Sequence, residues 1–157
     1  MSEKRSWRRW LASTSNRTFI VWPLLLVAAE SLLQGGWPQL RHWALPLLAL
    51  GHLQYRWVGA YRTRRGGGGP GLSNPPERLV AEGPYRYTRN PMYLGHLVFF
   101  LGLALVLASW LGAAVLVAHA VWFDRRVRGD EAHLLQLFGD PYRQYLTCVK
   151  RWIPGVY

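Results

Sequence analysis

The chain has 157 residues, enough for one domain, and 50% of them are apolar and 14% aromatic, which excludes a disordered, collagen-like or disulfide-scaffold protein. Lys and Arg number 19 against 8 Asp and Glu, a formal charge of +11 that ordinarily points to nucleic acid. The basic residues are instead gathered between long uncharged stretches. The sequence therefore reads as an all-α integral membrane protein, one membrane domain over residues 1–157, with no nucleic-acid partner and a lone Cys148 that permits no internal disulfide.

Residues 18–33 carry one charge, Glu30, and the run from Phe19 to Val27 reads as a first spanning helix with Pro23 near its start, where proline costs least. A secretory leader is the rival reading, because Lys4, Arg5, Arg8 and Arg9 precede the apolar run and Val27-Ala28-Ala29 resembles a small-residue cleavage site. Past the Gly35-Gly36-Trp37-Pro38 turn, residues 43–61 form a second span with Arg56 near one end. Residues 66–78, rich in Gly, Pro, Ser and Asn, have the composition of a flexible cytoplasmic linker. Residues 79–91 change to a loop rich in aromatic and guanidinium groups.

From Met92 to Phe123 there is no formal charge, and a single helix would be roughly 48 Å long against an apolar core of about 30 Å. A break at Ser109-Trp110-Leu111-Gly112 gives spans at residues 91–108 and 110–128, four in all. These last two form a helical hairpin in which Gly95, Gly102 and Gly112 let backbones approach closely. Residues 130–157 are expected to form short tail helices, with leucines at helical spacing from Leu134, a stop at Gly139 and a new start at Asp140-Pro141. The arginines gather before the first span, between the second and third, and after the fourth. That bias puts both termini and the middle loop in the cytoplasm, and in a bacterium the membrane would be the inner one.

A hairpin returns the chain to the face it left, so residues 83–95 and 125–131 are expected to meet there. Tyr85, Tyr87 and Tyr93, the guanidiniums of Arg86 and Arg89, and the carboxylates of Asp130 and Glu131 together suit a ligand with a planar base, a carboxylate and a cation. Plainer readings exist for each. Juxtamembrane arginines touch lipid phosphates, an acidic pair caps a following helix, and Tyr142 and Tyr145 can pack the tail as readily as touch a ligand. Glu30, an intramembrane carboxyl, either faces a cavity or pairs with Arg41 near the interface. His96 and His119 read as packing groups, and with no third ligand evident no metal site is expected.

The segment Gly83-Pro84-Tyr85-Arg86-Tyr87-Thr88-Arg89-Asn90-Pro91-Met92-Tyr93-Leu94-Gly95 resembles the Gly-Pro-Tyr-x-x-x-Arg-His-Pro-x-Tyr-x-Gly motif of the isoprenylcysteine carboxyl methyltransferase and phospholipid N-methyltransferase family of membrane enzymes. Asp130-Glu131, Phe138-Gly139, Tyr142, Tyr145, Arg151 and Pro154 are similar to that family's acidic pair, Phe-Gly-x-x-Tyr-x-x-Tyr block and Arg-x-x-Pro tail. The resemblance implies an S-adenosylmethionine-dependent methyltransferase. Its cofactor would be held by Tyr85, Arg86, Tyr87, Arg89, Asn90, Pro91, Tyr93, Leu94, Gly95, Asp130 and Glu131, with Glu131 on the ammonium. Glu30, Tyr145 and Arg151 are further candidates on the side of the methyl acceptor, a membrane lipid or other lipophilic molecule entering from the bilayer; no catalytic residue is assigned.

Two positions depart from the family pattern. Asn90 stands where the family has His, and Cys148 stands where prenylcysteine enzymes generally carry Arg, which counts against prenylcysteine as the acceptor. Two other functions remain open: an NADPH-dependent reductase, because the Arg-x-x-Pro-Gly-x-Tyr ending is similar to that of membrane sterol reductases, and a lipid-binding scaffold without catalysis.

Overall fold

The computed structural model describes residues 7, 8, 10–69, 72 and 74–153, and every regular element among them is helical. Lys4, Arg5 and Arg9 of the basic leader, Ser73 of the linker and Pro154 of the tail motif lie outside the described residues. The helices are α1 (Thr14–Gln34), α2 (Leu45–Gly66), α3 (Pro91–Val106), α4 (Trp110–Phe138) and α5 (Asp140–Cys148), with 3-10 turns at His42–Ala44 and Gly83–Arg86. The chain divides into two compact units, Met1–His52 with His96–Ala118 and Leu53–Gly95 with His119–Tyr157, and α2, α3 and α4 each give residues to both.

In the first unit, α1 is the one helix among the described residues long and apolar enough to cross a membrane by length and composition. It opens through a π-helical turn at Arg17–Val21, just ahead of Pro23, whose missing N–H removes a rung of the ordinary ladder. It ends at Gly35, whose φ of 66° only glycine adopts without strain, and Gly36 N–H closes the turn on Ser31 O at 3.0 Å. Leu26, Phe99, Phe100, Leu103 and Leu107 form the core, ringed by Phe19, Trp22 and Leu48. The Phe19 ring stacks on the fully buried His96 at 4.9 Å, so this histidine packs as expected.

The link between α3 and α4 is three residues long. Ser109 Oγ accepts the Gly112 N–H at 2.9 Å, capping α4, and donates to the carboxylate of Glu30. A Cβ on Gly112 would lie 2.8 Å from Ala104 Cα, so the two backbones need glycine there. Glu30 also accepts from Gln34 Nε2 at 2.9 Å. Its partners are thus Ser109 and Gln34, not Arg41, one of the alternatives left open by the sequence, whose backbone N–H bonds Val106 O at 2.7 Å.

In the second unit, α4 departs from expectation. It runs unbroken through Gly129 to Phe138, where a separate tail helix was anticipated. One interior glycine costs only about 1 kcal/mol, and the Asp124–Arg128 and Arg126–Asp130 pairs, at 2.7 and 3.9 Å, bracket it. Asp130 and Glu131 therefore sit inside a helix and cap nothing. Gly139, with φ 60°, ends the helix as expected.

The stretch read as a linker is, in its described residues, a tied loop. Gly66 O accepts the N–H groups of Glu77 and Arg78 at 2.7 and 2.8 Å, and Arg62 Nη2 donates to Gly69 O at 2.8 Å and Asn74 O at 3.0 Å. Arg62 is buried at the centre of that turn.

Candidate active site

The second unit encloses a cavity of about 370 Å³, within the range of about 300 to 1,000 Å³ typical of small-molecule sites. Tyr85 enters it from the 3-10 turn, Arg89 and Asn90 from the loop before α3, Tyr93 from α3, Asp130 and His133 from α4, and Tyr142 and Tyr145 from α5. Asn74, Pro75 and Pro76 close one side.

Each wall is fixed by a polar contact. Tyr93 Oη donates to Asp130 Oδ2 at 2.7 Å, and Arg126 Nε lies 3.9 Å from the same oxygen. Tyr145 Oη donates to Tyr85 O at 2.7 Å, joining α5 to the 3-10 turn. Burial pushes the Tyr85 hydroxyl up to about 12, the guanidinium of Arg62 pulling the other way. Burial also raises Tyr142 and Tyr145, so all three phenols are neutral near pH 7.

Behind this wall lies an ion network. The Glu131 side chain, 11% exposed, takes Arg89 Nε at 2.9 Å on one oxygen and Arg151 Nη2 at 2.7 Å on the other. Arg89 Nη1 also donates to Leu146 O and Val149 O at 2.9 and 2.8 Å. Arg151 O accepts from Thr88 Oγ1 at 2.9 Å and Asn90 Nδ2 at 3.2 Å, while Trp152 Nε1 donates to Asp124 Oδ1 at 3.0 Å. Residues 149–152 are in this way stitched to residues 88–90 and to α4. A carboxylate shared by two guanidiniums is stable only as a set, because removing one member leaves a buried charge uncompensated.

The structure brings together six of the residues singled out in the sequence: Tyr85, Arg89, Asn90, Tyr93, Asp130 and Tyr145 line the cavity. Arg86, Tyr87 and Pro91 instead border a second hollow of about 510 Å³, with Trp57 and Tyr61 opposite, because the 3-10 turn points Tyr85 inward and its successors away. Leu94, Gly95, Glu131 and Arg151 line neither hollow, and Glu30 belongs to the first unit. Arg126, within the 125–131 stretch expected at the site but given no role there, and His133, which the sequence reading misses, recur with Asp130 at helical spacing on one stripe of α4. Arg62 and the 74–76 segment gave no local signal.

Residues 68–141, which carry most of these walls, match the family model of the phospholipid methyltransferases. Over that stretch the chain is similar to the phospholipid and isoprenylcysteine methyltransferases. Over 83 residues, 52% of this chain and 35% of the relative, it is 35% identical to a protein-S-isoprenylcysteine O-methyltransferase of Schizosaccharomyces pombe. It is also 35% identical over 81 residues to protein-S-isoprenylcysteine O-methyltransferase B of Arabidopsis thaliana, covering 50% of this chain and 41% of that one. Methanethiol S-methyltransferase 1 of Bradyrhizobium diazoefficiens is 32% identical over 84 residues, 54% of this chain and 29% of the relative. The matched stretch is thus well under half the length of each of these relatives.

Proposed function

We propose that the chain is a membrane methyltransferase whose S-adenosylmethionine occupies the cavity of the second unit and whose methyl acceptor is a lipophilic or amphiphilic molecule. Asp130 carries this reading: it is a carboxylate in the wall of a cofactor-sized cavity, fixed by Tyr93 and surrounded by aromatic rings, in a chain similar to a methyltransferase family. The residues present fit the cofactor. Asp130 would take the ammonium, a role the family motif suggested for Glu131, which is committed to Arg89 and Arg151. Arg126 would face the carboxylate and the tyrosine rings the adenine.

When bound, S-adenosylmethionine supplies an electrophilic methyl carbon on a sulfonium. The chain's own residues then have to align acceptor and donor at about 3 to 3.5 Å and keep water out. The tied 74–78 loop and the stitched 149–152 segment hold the walls that do so. The relatives' names speak of isoprenylcysteine and methanethiol, a prenyl thioether carboxylate and a small thiol. We place the acceptor in that range of apolar carriers, with a carboxylate, thiol or amine as the attacking group.

The membrane arrangement belongs to the same proposal. The 22 residues of α2 and 29 of α4 have the length to accompany α1 across a bilayer, with α3 and α4 as the hairpin. Both termini and residues 66–90 would face the cytoplasm.

Isothermal titration of the detergent-solubilised chain tests the cofactor. S-Adenosylhomocysteine should bind and NADPH should not. Asp130→Asn should weaken binding, while Asp140→Asn, exposed on α5, should leave it unchanged. Tight NADPH binding, or equal effects of the two substitutions, would contradict the proposal.

A further inference from the structure

Transfer of a methyl group to a thiol or an amine also releases a proton, and the cavity's polar groups can be taken in turn as its acceptor. Asp130 already holds the Tyr93 hydroxyl and faces Arg126 on its own helix. The phenols of Tyr85, Tyr142 and Tyr145 stay protonated, and that of Tyr145 is spent on a backbone carbonyl. Arg62 and Arg89 are guanidiniums, which donate hydrogen bonds and do not take up protons, and each is engaged by protein oxygen atoms. Asn74 and Asn90 have no proton-accepting nitrogen.

His133 remains. It lines the cavity three residues after Asp130 and seven after Arg126, on the same stripe of α4, and the residue is also exposed to solvent. An imidazole at that boundary can take a proton from inside and release it to water.

We infer that His133 accepts the proton shed by the methyl acceptor, so that the acceptor attacks through a thiol or an amine rather than through a carboxylate. The inference rests on the cofactor assignment above and deepens it. As the acceptor's sulfur or nitrogen bonds to the methyl carbon, the carbon–sulfur bond of the sulfonium breaks and its electron pair stays on sulfur. The acceptor's proton goes to an imidazole nitrogen and from there to water. A carboxylate acceptor would need no such base.

The test uses the full chain in detergent with S-adenosylmethionine and three acceptors of one chain length: decanethiol, decylamine and decanoate. Wild type should methylate the thiol or the amine and not decanoate. His133→Asn should lower that turnover by about 100-fold, while S-adenosylhomocysteine affinity stays within about twofold, since general base catalysis is separate from cofactor binding. Independently of turnover, the His133 ring resonance should shift in NMR spectra when S-adenosylhomocysteine is added. An unchanged rate in His133→Asn, methylation of decanoate, or no turnover of any of the three by a protein that binds S-adenosylhomocysteine would overturn the inference. Failure of wild type to bind S-adenosylhomocysteine would instead bring down the cofactor assignment, and this inference with it.

Discussion

Glu30 and Glu131 are both buried carboxylates, 5% and 9% exposed, one in each unit, and their partners differ in kind. Glu30 is met by a hydroxyl and an amide, from Ser109 and Gln34, in a unit with a buried cluster of phenylalanine and leucine. Glu131 is met by two guanidiniums that also hold the backbone of the tail. The first unit keeps its shape by apolar packing and close helix approach, with the Ser109 hydroxyl, bonded to Glu30 and to the Gly112 N–H, fixing the α3–α4 link. The second keeps its shape by charge pairs and main-chain hydrogen bonds, which can hold a cavity open because they do not require its walls to collapse on one another.

Unequal costs of substitution would sharpen this contrast. Glu131→Ala removes the buried carboxylate that Arg89 and Arg151 share and should destabilise the chain by about 3 to 5 kcal/mol. Glu30→Gln, which keeps shape and acceptor, should cost about 1 kcal/mol in the same urea or thermal denaturation series. Equal losses would erase the distinction. Asp130→Asn removes a charge from the cavity wall and should weaken S-adenosylhomocysteine binding by about 1.5 to 3 kcal/mol with little change in stability.

Gly112→Val probes the opposite region. Overpacking against Ala104 should cost about 1 to 3 kcal/mol of stability and leave cofactor affinity alone. Tyr145→Phe, which deletes the bond to Tyr85 O, should cost about 0.5 to 1.5 kcal/mol and loosen cofactor binding as well.

A last effect is alkaline. Burial lifts Tyr85 to about 12 in the folded chain, above the ordinary phenol value of about 10. The folded state therefore keeps a proton that the unfolded state loses. The corresponding stability is complete below about pH 10 and falls as the pH climbs toward the folded value. Phenolate absorbance should accordingly lag behind that of free tyrosine, and a normal titration curve would show the phenols to be exposed.

Much of the fold was legible because helix signals are local. Pro91, Gly35, Ser109 and Gly139 sit where such residues start, end or cap helices, and all four do so. The failures have local causes too. Gly129 looked like a boundary, but flanking i,i+4 pairs carry α4 past it. Residues 66–78 looked like a tether because composition cannot reveal that Arg62, a residue of the preceding helix, reaches their carbonyls.

The site was legible to the same degree. The motif around Tyr85 and Tyr93 and the acidic pair on α4 were correctly expected to adjoin, as the Tyr93–Asp130 and Arg89–Glu131 contacts show. Which of two adjacent carboxylates faces the cavity was not, because neighbouring helical residues point about 100° apart and only the tertiary partners, Tyr93 for one and Arg89 with Arg151 for the other, decide between them.

A structure of the chain with S-adenosylhomocysteine bound addresses the central assignment most directly. The ligand should lie in the second unit's cavity with its ammonium on Asp130 and its adenine among the rings of Tyr85, Tyr93, Tyr142 and Tyr145. Density for it beside Trp57 and Arg86 in the neighbouring hollow, with the Asp130 cavity left closed by its own side chains, would contradict the account.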